Sequence, residues 1–325
     1  MKLKKIYETV VAKGMEADPR GRKGVLRSLE RAKKKYKDLK KEEKEFFDVE
    51  TLTNPYADTR ILHGTGDEEI RTALVGIDME MAEILLADRL SSRGQKIDLV
   101  LAHHPEGKAF ANFYEVMHMQ ADILSKFGVP INVAESLLEG RIKEVERSLS
   151  PANHTRAADM ACLLDIPFMC MHTPTDNMVT GYLQDTLDKK APDTLGDVLA
   201  LLKDIPEYRE SAKNNAGPKI LLGSQERTAG KIFVDMTGGT GGAKNIFESL
   251  VNSGVSTIVG MHLGEEHRKE AEKRHMNVVI AGHIASDNLG VNLMLDAVQK
   301  NGKLAVIACS GFRRFSRLKE KRSQS

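Results

Sequence analysis

Histidine and aspartate residues follow three of the apolar runs that predict β-strands in this 325-residue chain. The three polar segments are His103-His104-Pro105 after IDLVLA (97–102), HTPTD (His172 to Asp176) after IPFMCM (166–171), and HIASD (His283 to Asp287) after NVVIAG (277–282). Imidazole and carboxylate groups form a nitrogen and oxygen ligand set suited to Zn, Fe, Mn or Ni, without any thiolate. Open parallel sheets bind small molecules and ions beyond the carboxyl ends of their strands, so the histidines and aspartates of these segments are candidate metal ligands.

The adjacent pair His103-His104 is the sharpest single signal for such a site. Neighbouring side chains of an extended strand point to opposite faces, so both imidazoles seldom reach one ion. At a strand end, each can instead bind a different ion of a pair about 3.5–4 Å apart. Asp287, four residues after His283, is expected in the first turn of a helix. The pattern therefore predicts a cluster of two or more divalent ions held by His103, His104, Asp176, His283 and Asp287.

Each of these residues also has a structural explanation when it is taken singly. A histidine at a strand end commonly serves only as a hydrogen-bonded structural residue. The helix dipole alone accounts for Asp287, and Asp176 equally suits a turn after Pro174. The metal interpretation rests on joint occurrence, because three separate strand ends each offer histidine or aspartate.

A glycine-rich segment, TGGTGG (237–242), follows a further strand, KIFVDM. Its backbone N–H groups could cradle a phosphate group between the strand and the next helix. It matches neither the dinucleotide-binding nor the Walker pattern, and close packing of strand against helix is the preferred reason for the glycines. His262 and His267 are expected to be solvated or to lie beside the site.

Short β-rich runs alternate with helical stretches from Thr72 onward, which predicts α/β structure with mostly parallel sheets covered on both faces. The predicted strands are TALVGI (72–77), IDLVLA, VPINVA (129–134), IPFMCM, KILL (219–222), KIFVDM, STIVGM, NVVIAG and KLAVIA (303–308). Two α/β domains are expected, at 51–190 and 191–310. A basic helical extension at 1–50 and a basic tail at 311–325 flank them.

Basic residues are concentrated near the two ends of the chain. Residues 20–45 contain twelve Lys or Arg and five Asp or Glu, a net charge of +7, and residues 310–325 contain six and one, a net charge of +5. The total is +2, so the remainder carries −10, which makes the body a poor surface for nucleic acid. A narrow apolar stripe from Leu26 to Leu39 predicts that the extension is an appendage, packed on the body or on a neighbouring subunit.

Composition and cysteine usage narrow the class of protein. The 41% hydrophobic and 29% charged fractions are typical of a soluble globular protein. Three cysteines without a C-x-x-C pair argue against a disulfide framework and for a reducing cytosol. No apolar run approaches the roughly 18 residues that a membrane span needs, and the start lacks a signal-peptide pattern. A cytoplasmic protein that does not enter the membrane is expected.

The motifs together resemble those of the NIF-three-like proteins, also called dinuclear metal-centre hexameric proteins and often described as type-2 GTP cyclohydrolase I. Members of that family show strand-His-His-Pro, strand-His-Thr-x-x-Asp, a glycine-rich loop and Gly-His-x-x-x-Glu. The matching segments here, in the same order, are LVLAHHP, MHTPTD, VDMTGGTGG and GHIASD. The resemblance covers about residues 55–310, and it departs at Asp287, where the family usually has Glu.

The resemblance implies a pair of related α/β domains, assembled into a toroidal homohexamer. It implies that two divalent metals (Zn, Fe, Mn or Ni) bind to His103, His104, Asp176, His283 and Asp287. It places His172 beside the metals, as a supporting residue or a catalytic proton shuttle. The family's described activity is ring opening of GTP, which implies a small-molecule or nucleotide substrate.

Two hypotheses of different classes follow. The leading one is a metal-dependent hydrolase, of GTP cyclohydrolase or phosphoester type, whose two ions activate water and polarise the substrate. The alternative is a non-catalytic assembly factor or nucleic-acid-associated regulatory factor with structural metals. It rests on the basic ends, Arg20–Lys44 and Arg313–Arg322, for which solvated helix faces are the simpler explanation.

Overall fold

A computed structural model describes residues 1–318 of the chain. Residues 319–325, the second half of the predicted basic tail, lie outside the described residues. Within residues 1–318, no helix combines the length and the apolar character needed to cross a bilayer.

The described chain contains fourteen α-helices and nine strands. The strands are β1 (Thr59–His63), β2 (Thr72–Gly76), β3 (Leu99–Ala102), β4 (Phe168–Met171), β5 (Lys219–Leu222), β6 (Lys231–Asp235), β7 (Val255–Gly260), β8 (Asn277–Ile280) and β9 (Ala305–Ala308). The first seven helices are α1 (Leu3–Ala17), α2 (Gly21–Asp38), α3 (Lys41–Lys44), α4 (Met81–Ser92), α5 (Gly107–Ala111), α6 (Met119–Lys126) and α7 (Ile131–Leu149). The others are α8 (Arg156–Leu163), α9 (Thr173–Lys190), α10 (Leu195–Asp204), α11 (Pro206–Lys213), α12 (Ile246–Asn252), α13 (Glu265–Lys273) and α14 (His283–Gln299).

The strands form two mostly parallel sheets, which confirms the predicted α/β fold. The first sheet has the order β1-β4-β3-β2-β9, and the second has the order β5-β8-β7-β6. In both sheets the first strand is antiparallel to its neighbour, while the pairs β4/β3/β2 and β8/β7/β6 are parallel. The four strands β5 to β8 therefore repeat the arrangement of β1 to β4, and β4 and β8 hold equivalent positions.

Helices α9 and α14 connect the two sheets. Val179 and Leu183 of α9, with Leu289 of α14, pack into an apolar cluster with strands of the second sheet. Val291 and Met294, farther along α14, pack instead with strands of the first sheet. The two helices also contact each other along their length. Because α9 follows β4 and α14 follows β8, the carboxyl ends of these equivalent strands lie close together.

Helix α1 belongs to the core of the first sheet and is not an appendage. Leu3, Ile6 and Val10 are fully buried among residues of β2, β3 and α14. Their spacing places them on one face of the helix. The prediction that residues 1–50 form a separate extension is therefore wrong for α1. Helix α2 has the exposed, basic character that was expected. In the apolar stripe of α2, Leu29 is buried and Leu26 is exposed.

Two of the predicted strands differ from the structure: one is part of a helix, and the other pairs in a different sheet. The run VPINVA enters helix α7, in which Ala134, Leu138, Ile142 and Val145 are buried at helical spacing. A short apolar run cannot by itself distinguish a strand from a buried helix segment. The strand at 303–308 is present as β9, but it pairs with β2 in the first sheet although it falls within the range 191–310.

Gly290 permits the close approach of α14 to α9. A Cβ atom at this position would lie 2.5 Å from the Thr175 carbonyl oxygen. Gly290→Ala is therefore expected to lower the free energy of unfolding by about 1–3 kcal/mol, because the helices must move apart. Gly140→Ala is the matched control: it lies in α7 with nothing within 4 Å, and it should raise stability by up to about 1 kcal/mol. Urea denaturation measures both, and equal midpoints for the two variants would contradict the close contact.

Candidate metal centre

All five predicted ligands lie together at the carboxyl ends of the strands. His103 and His104 directly follow β3, and Asp176 is in the first turn of α9. His283 is the first residue of α14, and Asp287 is the fifth, so the expected first-turn position of Asp287 was wrong. The distance from His103 Nε2 to Asp287 Oδ1 is 3.4 Å, and that to Asp176 Oδ1 is 3.6 Å. Both carboxylates and His103 are almost completely buried.

Asp287 lies between the two halves of this cluster. Its Oδ2 atom is 3.7 Å from His104 Nε2 and 3.6 Å from His283 Nε2, while its Oδ1 atom faces His103. The aspartate is thus long enough to present one oxygen to His103 and the other to the pair His104 and His283. The groups whose donor atoms all lie within 4.8 Å of one another are His103/Asp176/Asp287, His104/His283/Asp287 and His103/His104/His172.

The donor atoms fit a cation. His103 Nε2, Asp176 Oδ1 and both Asp287 oxygens are buried without a hydrogen-bond partner among the described residues. Such orphaned polar atoms are costly in a folded protein unless a ligand satisfies them. Two donors that bind one ion at about 2.0–2.2 Å lie roughly 3–3.5 Å apart, close to the separations found here. These buried histidine and aspartate groups could therefore hold a metal ion.

Hydrogen bonds at the far side of the rings fix their tautomers. His104 Nδ1 is 2.6 Å from Asp78 Oδ1, an acceptor when the carboxylate is ionised. His103 Nδ1 is 2.9 Å from the Thr175 hydroxyl, whose own proton is donated to the carbonyl oxygen of Met171 or His172. Nδ1 is therefore the protonated nitrogen in both rings, which leaves a lone pair on Nε2 facing the cluster.

The His172 ring lies in the same cluster and is held in the same way. Its Nδ1 atom is 2.8 Å from Asp58 Oδ2, and its Nε2 atom is 3.6 Å from Asp176 Oδ2. Asp58 is fully buried and was not recognised in the sequence, because the strand that follows it, β1, was not predicted. The apolar run TRILH is too short and too polar at its ends to stand out.

Burial and neighbouring charges shift the pKa values of the cluster. Burial lowers the pKa of His103 to about 4, so that its ring is neutral at pH 7. Burial acts in the same direction on His172, but the carboxylates of Asp176 and Asp58 outweigh it and raise the pKa to about 9. Burial raises the pKa of Asp176 well above its usual value, whereas the nearby imidazoles outweigh burial for Asp287 and lower its pKa. Asp287 is thus the ionised carboxylate at neutral pH.

A cavity of about 250 Å³ opens beside the cluster. His172, Asp176, His283 and Asp287 line one side of it, and the segment from Thr237 to Gly242 lines another. Several apolar side chains form the remaining wall, among them Leu124, Phe233, Phe247, Ile258, Met261 and Leu263. A molecule in this cavity would lie against the side of the cluster formed by His172, Asp176, His283 and Asp287.

The glycine-rich segment is held by side chains of neighbouring helices. Gln120 Nε2 donates to the carbonyl oxygens of Gly238 and Thr240, both at 2.7 Å. A Cβ atom on Gly238 or Gly242 would come within 2.8 or 2.7 Å of the Gln120 side chain. Close packing against Gln120 of α6 therefore accounts for these glycines, whereas the sequence had favoured packing of the strand against the helix that follows it.

Other histidines have positions that the sequence left open. The centroid of the His262 ring lies 5.0 Å from that of the His283 ring, with the planes tilted by 55°, and His262 lines the cavity. His267 Nε2 is 2.9 Å from the Gly242 carbonyl oxygen, so it supports the glycine-rich segment. Neither belongs to the groups of donor atoms described above, in agreement with an outer position for both.

Known proteins similar to this chain are found among solved structures. No family model matches the sequence, and no curated protein matches it. The chain is similar to the crystal structure of a NIF3 superfamily protein from Sphaerobacter thermophilus, with 27% identity, a TM-score of 0.68, and coverage of 79% of this chain and 92% of that chain. At that coverage the similarity cannot be confined to one of the two sheets.

Two other solved structures match this chain with lower identity and a lower TM-score. Reduced HcgD from Methanocaldococcus jannaschii has 17% identity and a TM-score of 0.41, over 82% of this chain and 94% of that chain. The protein TTHA1606 from Thermus thermophilus has 14% identity and a TM-score of 0.43, over 80% and 89%. The similarity to the Sphaerobacter protein and the two related sheets support the resemblance of this chain to the NIF3-like family.

Proposed function

We propose that the protein is a metal-dependent hydrolase with two divalent ions held by His103, His104, Asp176, His283 and Asp287. The observation that supports this most is the set of buried, unpartnered donor atoms in a cluster beside a cavity of about 250 Å³. With two divalent ions bound, the site would have an activated water and a means of polarising a carbonyl, an imine-like carbon or a phosphorus atom of a substrate. The family resemblance favours a nucleotide or another small molecule as that substrate.

The protein's own residues prepare the site for such chemistry. Asp78 and Thr175 hold His104 and His103 in the tautomer that points Nε2 inward. The ionised Asp287 contributes negative charge at the centre of the cluster. The apolar wall of the cavity lowers the local polarity, which strengthens electrostatic interactions with a bound substrate. His262, beside His283, is placed to contact a substrate as it enters.

The test is metal analysis of the purified protein, followed by assays for phosphatase, phosphodiesterase and GTP cyclohydrolase activity. We expect about two ions per subunit and one activity that depends on them. The variant His104→Ala should lose bound metal and should lose that activity. Metal content at the wild-type level in a variant that replaces His103, His104 and Asp176 by Ala would overturn the proposal.

The assembly and the location of the protein are part of the same proposal. The family resemblance favours a homohexamer, which sedimentation velocity of the purified protein tests directly. The proposed location is a reducing cytoplasm, where free thiols such as Cys162, Cys170 and Cys309 persist.

A second candidate function, binding of nucleic acid, rests on helix α2. Its basic residues are Arg22, Lys23, Arg27, Arg31, Lys33, Lys34, Lys35 and Lys37. Within residues 1–318, only Arg27 of this set forms an ion pair, with Asp122. The remaining cations are available to neutralise the phosphates of a polyanion.

Charge reversal on α2 tests this second function. If it is correct, wild-type protein binds DNA or RNA with an affinity that falls steeply between about 50 and 200 mM salt. The variant Lys33→Glu/Lys34→Glu/Lys37→Glu should lose that binding. Lys203→Glu/Lys300→Glu/Lys303→Glu, with the same change in net charge at other exposed positions, should retain most of it. Binding that is absent or independent of salt would remove this function.

A further inference from the structure

The pattern His-x-x-x-Asp occurs twice in the site, at His172–Asp176 and at His283–Asp287. The first copy follows β4 and enters α9, and the second follows β8 and enters α14. In both copies the distance from the histidine Nε2 to the aspartate Oδ2 is 3.6 Å. The two copies therefore share sequence spacing, secondary structure and side-chain geometry.

The topology of the two sheets makes these copies structural equivalents. β4 and β8 each pair with an antiparallel first strand on one side and a parallel strand on the other. Helices α9 and α14 follow them and pack against each other. The two motifs thus meet at the centre of the cluster, and each supplies one histidine and one carboxylate from its own half of the molecule.

We propose that His172 is a direct metal ligand and the counterpart of His283, with Asp58 as its positioning residue. This inference rests on the proposed metal centre and adds a sixth donor to it. One ring nitrogen of His172 lies with donor atoms of His103 and His104 within 4.8 Å of one another, and its Nε2 atom is 3.6 Å from Asp176 Oδ2. Only 6% of the residue is exposed, and the residue lines the cavity beside the cluster.

Asp58 determines which nitrogen of His172 faces the cluster. Its Oδ2 atom accepts hydrogen bonds from the Thr173 hydroxyl at 2.6 Å and from the Thr173 backbone N–H at 3.3 Å, and it lies 2.8 Å from His172 Nδ1. An acceptor fixed in this way accepts a hydrogen bond from Nδ1–H, so the proton stays on Nδ1. The Nε2 lone pair then points at the Asp176 carboxylate, and a cation between these two acceptors removes their repulsion.

The pairing of β1 with β4 produces this arrangement. Thr59 is opposite Met171 in the antiparallel ladder, so Asp58 and His172 are the next residues on the two strands. Residues separated by 114 positions in sequence are thereby brought to hydrogen-bonding distance. The alternative to a metal ion between His172 and Asp176 is a proton on Nε2. His172 would then be an imidazolium that lies between the carboxylates of Asp58 and Asp176.

Nuclear magnetic resonance of the wild-type protein distinguishes the metal from the proton. The protein is labelled with ¹⁵N in its histidines and loaded with ¹¹³Cd, which couples only to nitrogens bonded to it. We expect coupling at the Nε2 atoms of His103, His104, His172 and His283, with the His172 resonance assigned by its loss in His172→Gln. Coupling at the other three but not at His172 overturns the proposal and leaves the five-residue centre intact. Coupling at none of them overturns the metal centre as well.

Metal affinity provides the second test, with circular dichroism to verify folding. His172→Gln and His283→Gln should each weaken the binding of one ion by at least about 100-fold, and Asp58→Asn by about 10–100-fold. The visible absorption of bound Co²⁺ should change in all three variants. His118→Gln, outside the cluster, is the matched control. Wild-type affinity and an unchanged Co²⁺ spectrum in His172→Gln would overturn the proposal.

Discussion

Replacement of Asp287 by Asn is expected to remove both metal ions while the protein remains folded. The carboxylate presents Oδ1 to His103 and Oδ2 to His104 and His283, so a single side chain serves both halves of the cluster. An amide of the same size keeps the volume but loses the charge and one of the two acceptor oxygens. Groups that only support metal ligands alter affinity by about 10–100-fold, so loss of a shared donor should cost more than about 100-fold for each ion.

Elemental analysis and titration with Zn²⁺ or Mn²⁺ measure this loss. Asp188→Asn is the matched control, because Asp188 is exposed on α9 and lies outside the cluster. It should bind metal as the wild type does. Thermal unfolding adds an independent measure: metal at about 100 times its dissociation constant stabilises the folded state by roughly 2.7 kcal/mol, an effect that Asp287→Asn should abolish. A variant that still holds two ions would show that Asp287 does not join the two halves.

Removal of residues 1–17 is expected to abolish stable folding. Helix α1 supplies Leu3, Ile6 and Val10 to the apolar cluster of the first sheet, and all three are fully buried. Truncation of a single large buried side chain to Ala costs about 2–5 kcal/mol, whereas the whole stability of a domain is about 5–15 kcal/mol. The deletion removes all three side chains and exposes their partners on α9 and α14.

Single substitutions in α1 and α2 give this expectation a measurable size. Ile6→Ala should lower the free energy of unfolding by about 3 kcal/mol, measured by urea denaturation. Leu26→Ala on α2, where 46% of the side chain is exposed, should change it by less than about 0.5 kcal/mol. A folded deletion variant, or equal effects of the two point variants, would contradict the core position of α1.

The candidate site could be predicted from the sequence to an unusual extent. His103, His104, Asp176, His283 and Asp287 stand next to apolar runs of parallel strands, and the carboxyl ends of such strands meet at one edge of a sheet. That local rule is sufficient to group them without any knowledge of strand order.

Residues that depend on pairing between distant segments could not be predicted. Asp58 contacts His172 only because β1 is antiparallel to β4. Thr175 contacts His103 only because α9 starts beside the end of β3. No periodicity in the sequence encodes either contact, since each joins segments separated by dozens of residues.

The fold shows the same division. The sequence by itself determined the alternation of strands and helices and the apolar runs of the parallel strands, because burial on both faces dictates which residues a strand can carry. Only the tertiary structure decided that α1 is a core helix, that VPINVA enters α7 and that β9 returns to the first sheet. Those outcomes depend on which apolar surfaces are left to be covered once the sheets have formed, and that is a property of the whole chain.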